Sequence, residues 1–153
     1  MLDRNWIASR IPHQGSMCLL DGVESWDEEN IQCRATSHRA EDNPLRAHGQ
    51  LGAACGIEYA AQAMAVHGAL LAPADSAAPR AGFLVSVRGV QVAVARLDDI
   101  PQDLTVQASR IMSNENNILY QFSVSAAGRL LLEGRAAVVI NADALLPHSG
   151  STK

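Results

Sequence analysis

The sequence lacks the short motifs that mark several common classes of enzyme. It contains no CxxC or HExxH spacing of metal ligands, so a metal site is not expected. The GxSxG elbow of serine hydrolases is absent, as are the glycine patterns of Walker and Rossmann nucleotide sites. We therefore predict no metal and no cofactor, and any catalysis has to use the side chains of the protein itself.

Strong charge and paired cysteines are also missing. The net charge of −4 argues against nonspecific binding to nucleic acid or to an anionic membrane. The three cysteines, Cys18, Cys33 and Cys55, are odd in number and form no CxxC pair, which favours a reduced, cytoplasmic protein. The first fifteen residues have no apolar segment of the kind found in signal peptides.

The longest apolar run, residues 53–71, is long enough to be considered as a membrane span. It is rich in alanine and carries Glu58, Gln62 and His67. A run that is apolar on almost every side but includes polar groups predicts a helix buried in a soluble protein. Pro73 is expected to end this helix.

Strand patterns dominate the rest of the chain. Two short strand-like segments precede the helix, at 16–26 and 31–38, and the turn residues DEEN join them. A loop containing Asn43-Pro44 and two glycines leads into the helix, and the segment 73–80 is expected to be a loop. Three or four longer strands follow, at 82–97, 104–112, 117–126 and 130–141.

This order of elements predicts one α+β domain over residues 1–153, with its core at about 11–141 and a loose tail at 142–153. A helix that is apolar all round needs more cover than one flat sheet face supplies. A curved antiparallel sheet wrapped around the helix would supply it, and an ordinary α+β sandwich would give a similar pattern.

One carboxylate, Glu58, interrupts the otherwise small and apolar stretch CGIEYAAQAMAV at 55–66. A buried, unpaired charge is costly, so its presence needs a reason. A structural carboxylate bonded to a loop amide or an arginine is one explanation, and a catalytic acid is the other.

At IPHQGSMCLLDGV (11–23) and GIEYAAQAM (56–64) the sequence resembles the hot-dog-fold 3-hydroxyacyl-ACP dehydratases. It is most similar to their divergent branch of predicted dehydratases of bacterial aryl-polyene pigment synthesis. That branch shares NPLR, GIEYAAQAMAVHG and LLEGRAAVVI, which occur here in the same order at 43–46, 56–68 and 131–140. The resemblance spans roughly residues 11–140.

The resemblance implies a hot-dog fold, in which an antiparallel sheet wraps one long helix, and a protein that is active as a dimer. It also implies a catalytic acid in the helix, at the position of Glu58. Well-studied members place a catalytic histidine in a His-Phe-Pro-Gly loop before the helix. This chain lacks that loop and has the shorter NPLRAHGQLGAACGIE, with His48 ten residues before Glu58.

Dehydration of a 3-hydroxyacyl thioester needs a base for the proton next to the thioester and an acid for the leaving hydroxide. A histidine suits the first task, and a carboxyl group in an apolar pocket suits the second. Backbone N–H groups at a helix N-terminus can stabilise the thioester oxygen. Gly49, Gly52 and Gly56 would allow substrate to approach that backbone. Gln62, one turn beyond Glu58, would orient it, line the acyl tunnel, or be a satisfied structural group.

Five histidines compete for the role of base. His48 lies in the loop before the helix, where the chemistry requires it, and His13 in the Pro-His motif is the second candidate. Each also has a structural reading, as an exposed loop residue or as an anchor of the N-terminal segment. His67 is nine residues from Glu58 and is expected to face away from it. His38 and His148 give no signal.

The family implies an acyl carrier protein as partner, and carrier proteins are acidic. A docking surface would then need local arginines, although the net charge of this chain is negative. Arg80 and Arg88 flank GFLVSV and are predicted to contact the carrier, whereas Arg39 and Arg46 flank the other loop. Solvated arginines at a strand edge are the alternative reading.

Three functions are compatible with these residues. The first is a lyase that removes water from a 3-hydroxyacyl group on a carrier protein, in aryl-polyene or fatty-acid-like synthesis. The second is a hot-dog thioesterase, in which the helix carboxylate activates water. The third is a non-catalytic hot-dog subunit that completes the site of an active partner in a heterodimer, as the missing His-Phe-Pro-Gly loop suggests.

Overall fold

The computed structural model describes residues 2–10, 17–71, 83–114 and 117–139, with the side chains of 83–85 excepted. His13, the predicted helix end at Pro73, the loop predicted at 73–80 with Arg80, His148 and the tail predicted at 142–153 lie outside the described residues. The elements in chain order are β1 (Leu2–Asp3), α1 (Arg4–Arg10), β2 (Gly22–Trp26), β3 (Asn30–Ala35), α2 (Gly56–Leu71), β4 (Phe83–Val92), β5 (Leu104–Ser113), β6 (Asn117–Ala126) and β7 (Arg129–Val139). Short 3-10 helices occupy Ser37–Arg39 and Ala53–Cys55.

The strands form one antiparallel sheet in the order β1-β2-β3-β5-β6-β7-β4. Buried and more exposed positions alternate along β6, so one face of the sheet points to the core and the other to solvent. Helix α2 packs on the core face, against β3, β5 and β6. The fold is therefore the predicted hot-dog arrangement of an antiparallel sheet and one long helix.

Helix α2 extends the 3-10 turn before it, so that together they cover the predicted range 53–71. Its buried side faces the sheet, but one stripe stays uncovered by the chain itself. Ala54 and Glu58 are exposed on this stripe, and Ile57, Ala61 and Ala65 are half-buried. The expectation that protein surrounds the helix on almost every side is therefore wrong for the single chain.

Helix α2 has 16 residues, from Gly56 to Leu71. Among the residues that the structure describes, no helix has both the length and the apolar character needed to cross a membrane. The reading of this run as a helix packed against protein is the one that the fold supports.

His67 is buried on the core side of α2, as predicted from its distance from Glu58. Its Nε2–H donates to the carbonyl of Asp27 at 2.8 Å, which leaves Nδ1 as the acceptor for the Tyr120 hydroxyl at 2.7 Å. Burial lowers the pKa of His67, and the nearby Arg110 guanidinium acts in the same direction. The residue ties the helix to β6 and to the turn between β2 and β3.

Two local predictions were wrong at the strand ends. No element was predicted for residues 4–10, which form α1, with the Asp3 carboxylate accepting from the Trp6 N–H at 3.0 Å. The first strand-like segment was predicted from residue 16, but the strand there, β2, begins at Gly22. Residues 17–19 instead bond to α2. The strand predicted at 82–97 ends at Val92, because residues 95 and 97 bond to the segment that leads into the helix.

Candidate functional site

The entrance to α2 is braced by the segment that follows β4. The Leu97 N–H donates to the Leu51 carbonyl at 2.8 Å, and the Ala53 N–H donates to the Ala95 carbonyl at 3.1 Å. The Asp98 carboxylate accepts from the Leu51 N–H at 3.0 Å. These three bonds fix the last residues of the loop and the first turn of the helix in one position.

Asp98 is the charged centre of this brace, and its side chain is only 5% exposed. The Arg96 guanidinium donates to both of its oxygens, through Nε at 2.9 Å and through the terminal nitrogen, and Arg46 lies 4.0 Å away. The hydrogen bond from Arg96 holds the pKa of Asp98 well below its usual range, and the Leu51 N–H adds to the effect. Asp98 is therefore ionised throughout the physiological range.

His48 lies at the tip of a tight turn in the loop before α2. Ala47 and Gln50 exchange backbone hydrogen bonds of 2.8 and 3.0 Å across the turn. His48 and Gly49 have φ values of 54° and 76°, which is the pattern of a type I′ turn. A positive φ is uncommon outside glycine, although histidine tolerates it better than most residues. The turn leaves the imidazole of His48 exposed.

The side chain of Arg46 holds this turn in place by hydrogen bonds to the backbone. Its guanidinium donates to the carbonyls of Ala40, Gly49 and Arg39 at 2.8, 3.0 and 3.3 Å. Sequence reasoning named Arg46 only as a flanking cation; its place in the NPLR motif was the available signal. Arg46 therefore positions His48 indirectly, because it bonds to the carbonyl of Gly49, the next residue of the turn.

Glu58 lies in the first turn of α2 and is exposed. It makes no hydrogen bond or ion pair with another described residue. Within the described part of the chain, Glu58 is therefore not a structural carboxylate bonded to a loop amide or to an arginine. The described part of the single chain does not enclose the carboxylate, so the expected apolar pocket around Glu58 stays a prediction for the assembled protein.

The backbone at the helix start is less open than predicted. The N–H groups of Ala53, Cys55 and Gly56 donate to the carbonyls of Ala95, Gly52 and Ala53, respectively. The N–H groups at the start of the helix were expected to bind a thioester oxygen, as at a typical helix N-terminus. The 3-10 turn and the brace use these three N–H groups, so they are not available to such an oxygen in this arrangement.

Gly56 is buried where α2 passes over β7. A Cβ at this position would lie 2.6 Å from a methyl carbon of Leu132, which is itself fully buried. Close packing against β7 explains why residue 56 is glycine. The contact with substrate that the sequence suggested for Gly56 stays a prediction.

Two glycines in α2 give a matched pair of expected effects on stability. Gly56→Ala should destabilise the chain by about 1–3 kcal/mol, because the added methyl overpacks Leu132. Gly68→Ala should stabilise it by up to about 1 kcal/mol, because nothing lies within 4 Å of its Cβ position and alanine favours the helix. Urea unfolding of the isolated chain measures both; equal effects of the two changes would contradict this packing.

A buried polar network joins the NPLR motif to the helix motif. The Ser37 hydroxyl donates to the Leu19 carbonyl at 2.7 Å, so the Tyr59 hydroxyl donates to Ser37 Oγ at 2.8 Å. Asn43 Nδ2 donates to the Tyr59 oxygen at 3.0 Å, and burial raises the pKa of Tyr59. Sequence reasoning assigned no role to Tyr59 or Asn43, although both lie in motifs that carry the resemblance.

Gln62 joins the N-terminal motif to the same helix. Its Oε1 accepts from the Leu19 N–H at 2.8 Å, and its Nε2 donates to the Met17 carbonyl at 2.6 Å. Gln62 is buried whereas Glu58 is exposed, so the two do not share one surface as expected. These contacts match the reading of Gln62 as a satisfied structural group, and its contact with substrate stays a prediction.

The remaining candidates are placed as follows. Arg88 is exposed on β4, and Arg39 lies in the 3-10 helix with an ion pair of 2.9 Å to Asp103. His38, which gave no signal, is buried; its Nε2 donates to the carbonyls of Ile100 and Gln102 at 3.0 Å each. Within the described ranges no three His, Cys, Asp or Glu side chains come together as ligands for a metal ion.

Comparison with known protein families identifies the family to which the chain belongs. The ApeP-like family, described as ApeP dehydratase, matches residues 6–150. The chain belongs to this family. The match includes the loop of Asn43 and Arg46, the first turn of α2, and the strand β7 that packs under it.

Solved structures give the same fold. The chain superposes on a chain of the dehydratase heterocomplex ApeI:P from Xenorhabdus doucetiae with a TM-score of 0.76, 25% identity and 95% coverage of both chains. The zebra fish thioesterase superfamily member 2 matches with a TM-score of 0.61 and 15% identity, over 90% of this chain and 93% of that one. A thioesterase from Haemophilus influenzae matches with a TM-score of 0.57 and 15% identity, over 84% and 81%. None of the curated sequences compared with the chain matches it.

Two of the predicted site residues lie on either side of the start of α2. His48 and Glu58 are both exposed, on the loop and on the first turn of the helix that the loop enters. Arg46, Asp98 and Tyr59 hold the backbone between them. The structure therefore exposes both His48 and Glu58 at the start of the helix, and their roles as base and acid stay predictions.

Proposed function

We propose that the chain carries out the dehydration of a 3-hydroxyacyl thioester on an acyl carrier protein, giving the trans-2-enoyl thioester in aryl-polyene synthesis. The observation that carries this proposal is the exposed carboxylate of Glu58 in the first turn of α2. It makes no contact that would explain it structurally within the described chain. Membership of the ApeP-like dehydratase family supports the reaction class.

The chemistry divides between two groups. A base takes the proton from the carbon next to the thioester, the electrons of that C–H bond form the C=C bond, and the C–O bond to the hydroxyl breaks. Glu58 gives its proton to the departing hydroxyl, which leaves as water. His48 is the base that we assign within the described residues, and His13 is the alternative outside them.

A second hot-dog subunit completes the site in this proposal. Glu58 needs an enclosed surrounding to act as an acid, and the chain alone leaves it exposed. The half-buried stripe of Ile57, Ala61 and Ala65 continues from Glu58 along the helix. Among the described strands, β4 pairs with β7 alone and so offers a ten-residue open edge to another strand. The ApeI:P heterocomplex, which has this fold, supports such a partner.

Cysteine labelling tests whether a partner covers the helix start. Cys18 and Cys33 are buried, while Cys55 is partly exposed and lies three residues before Glu58. Burial raises the pKa of Cys55, and the Glu58 carboxylate adds to the effect, so labelling is best done at mildly alkaline pH. We expect a maleimide to label Cys55 first in the isolated chain and much more slowly in the purified complex.

A second outcome of the labelling experiment would contradict this proposal. If Cys55 reacts at the same rate alone and in the complex, the partner does not cover the helix start. A Cys55→Ser variant serves as the control, since it should leave only the slow labelling of the two buried thiols.

The function itself is tested with the chain co-purified with its hot-dog partner and with the chain alone. Each is given a 3-hydroxyacyl-carrier protein, and the acyl product is identified by mass. Enoyl product from the complex supports the proposal. Released free acid would indicate thioesterase activity instead. If the complex forms the enoyl product at the same rate when Glu58 of this chain is replaced, the partner's own site suffices and this chain is a non-catalytic subunit.

A further inference from the structure

Two arginines lie directly opposite each other on the outer face of the sheet. The register of β4 and β7 pairs Arg88 with Arg135, and both side chains are exposed. Residues opposite each other on neighbouring antiparallel strands point to the same side, with Cβ atoms about 5 Å apart. Neither arginine makes an ion pair with another described residue.

Like charges in this position destabilise a sheet, so the pair carries a cost that the fold does not offset. The row that continues across the sheet contains no carboxylate; its members are Asn30, Ser109, Gln121, Arg135 and Arg88. Glu133 lies two residues from Arg135 on the same face but pairs with neither arginine. The two guanidinium groups are therefore available to an external anion.

The backbone next to Arg88 is shaped by a bulge. The register shifts by one residue between Arg88 and Gln91, and Gly89 has a φ of 62°, as in a bulge with glycine in the left-handed region. Bulges of this kind occur at sheet edges and re-aim the neighbouring side chains. The bulge here lies on the open edge strand, beside the arginine pair.

The arginine pair is close to the candidate site but on the other side of the sheet. Strand β7 contacts the helix start through Leu132, whose side chain faces Gly56. Arg135 is three residues further along the same strand, about 10 Å at the usual rise per residue, and faces outward. A partner bound at the pair would thus lie beside the β4 edge, where the proposed second subunit joins.

We propose that Arg88 and Arg135 together form the docking site for the acidic surface of the acyl carrier protein. This inference rests on the proposed function. It extends the sequence-based prediction for Arg88 to a pair with Arg135 and places the pair on the outer face. The two cations lie on an open face among uncharged polar side chains, which suits the carboxylates of a protein surface better than an enclosed small anion.

The experiment compares carrier-bound substrate with the same acyl group on a short pantetheine thioester, using the complex with the partner subunit. Arg88→Glu, Arg135→Glu and the double variant are measured beside Arg129→Glu. Arg129 is an exposed arginine at the start of the same strand, away from the pair, and serves as the matched control.

We expect the ratio of kcat/KM for carrier-bound substrate to kcat/KM for the short thioester to fall about tenfold in each single variant, and further in the double variant. Arg129→Glu should leave this ratio unchanged. The loss should shrink at high salt, because added ions screen the wild-type attraction. An unchanged ratio in the double variant, or an equal fall in Arg129→Glu, would overturn the inference.

A binding measurement separates this inference from the proposed function. Fluorescence anisotropy of a labelled holo-carrier protein reports docking without turnover. If the wild-type complex turns over neither thioester but binds the carrier, and the double reversal abolishes this binding, the docking site stands and the proposed reaction fails. Wild-type binding that survives the double reversal contradicts the docking site whatever the activity.

Discussion

Glu58→Gln is expected to lower the rate of dehydration by a factor of about 10² to 10⁴, the usual contribution of a positioned acid or base. Glutamine keeps the size of the side chain but cannot give a proton to the leaving hydroxyl. The measurement is steady-state turnover of a 3-hydroxyacyl-carrier protein by the complex. Because the carboxylate of Glu58 is exposed and makes no described contact, the melting temperature of the isolated chain should stay within about 1–2 °C of the wild type.

The control for this prediction is Glu41→Gln, which neutralises an exposed carboxylate in the loop before the helix. It should change neither turnover nor stability. If Glu58→Gln kept the full rate, Glu58 would not be the acid. If it lost activity and the isolated variant chain also lost several degrees of melting temperature, the residue would have a structural role in the fold of the chain.

Acid should destabilise the fold through two buried histidines. Burial lowers the pKa of His38 and of His67, so each ring takes up its proton at a lower pH in the folded chain than in the unfolded chain, where it charges near pH 6.5. The unfolded state then binds more protons than the folded state. Stability from these groups is therefore complete above about pH 7 and is lost as the pH falls below 6.5.

The size of this effect follows from proton linkage. Each histidine that stays neutral in the fold contributes up to about 1.4 kcal/mol per pH unit, so the two together reach about 2.7 kcal/mol per unit. Urea unfolding of the isolated chain between pH 7.5 and about pH 5 measures the slope. Unchanged stability over that range would contradict the burial of the two rings.

Variants assign the slope to its sources. His67→Gln should reduce the slope by about half, whatever it does to stability at neutral pH. His48→Gln should leave the slope unchanged, because His48 is exposed in the tight turn. An equal change of slope in both variants would mean that the linkage arises elsewhere.

Much of the fold follows from local patterns in the sequence. The alternation in β6 and the apolar run of α2 report directly on which side chains are buried, so the sheet and the helix were predictable. The start of β2 was not, because residues 17–19 bond to Gln62, 43 to 45 positions away. A contact at that distance leaves no trace in local periodicity.

The candidate site shows the same division. Glu58 was identified because a charge in an apolar stretch is unusual, and its setting in the hot-dog family gave it a role. Asp98 and Tyr59 hold the site through residues 16 to 47 positions away and were missed. Arg46 bonds to residues three to seven positions away and was named only as a flanking cation. The exposure of Glu58 could not be predicted either, because its cover, in our proposal, belongs to another chain.

The central claim is that Glu58 acts in the dehydration of a carrier-bound 3-hydroxyacyl group. The most direct test follows the mass of the acyl chain on the carrier protein after incubation with the wild-type complex and with the Glu58→Gln complex. We predict the loss of one water with the wild type and an intact substrate with the variant over the same time. Equal water loss in both complexes would contradict the claim.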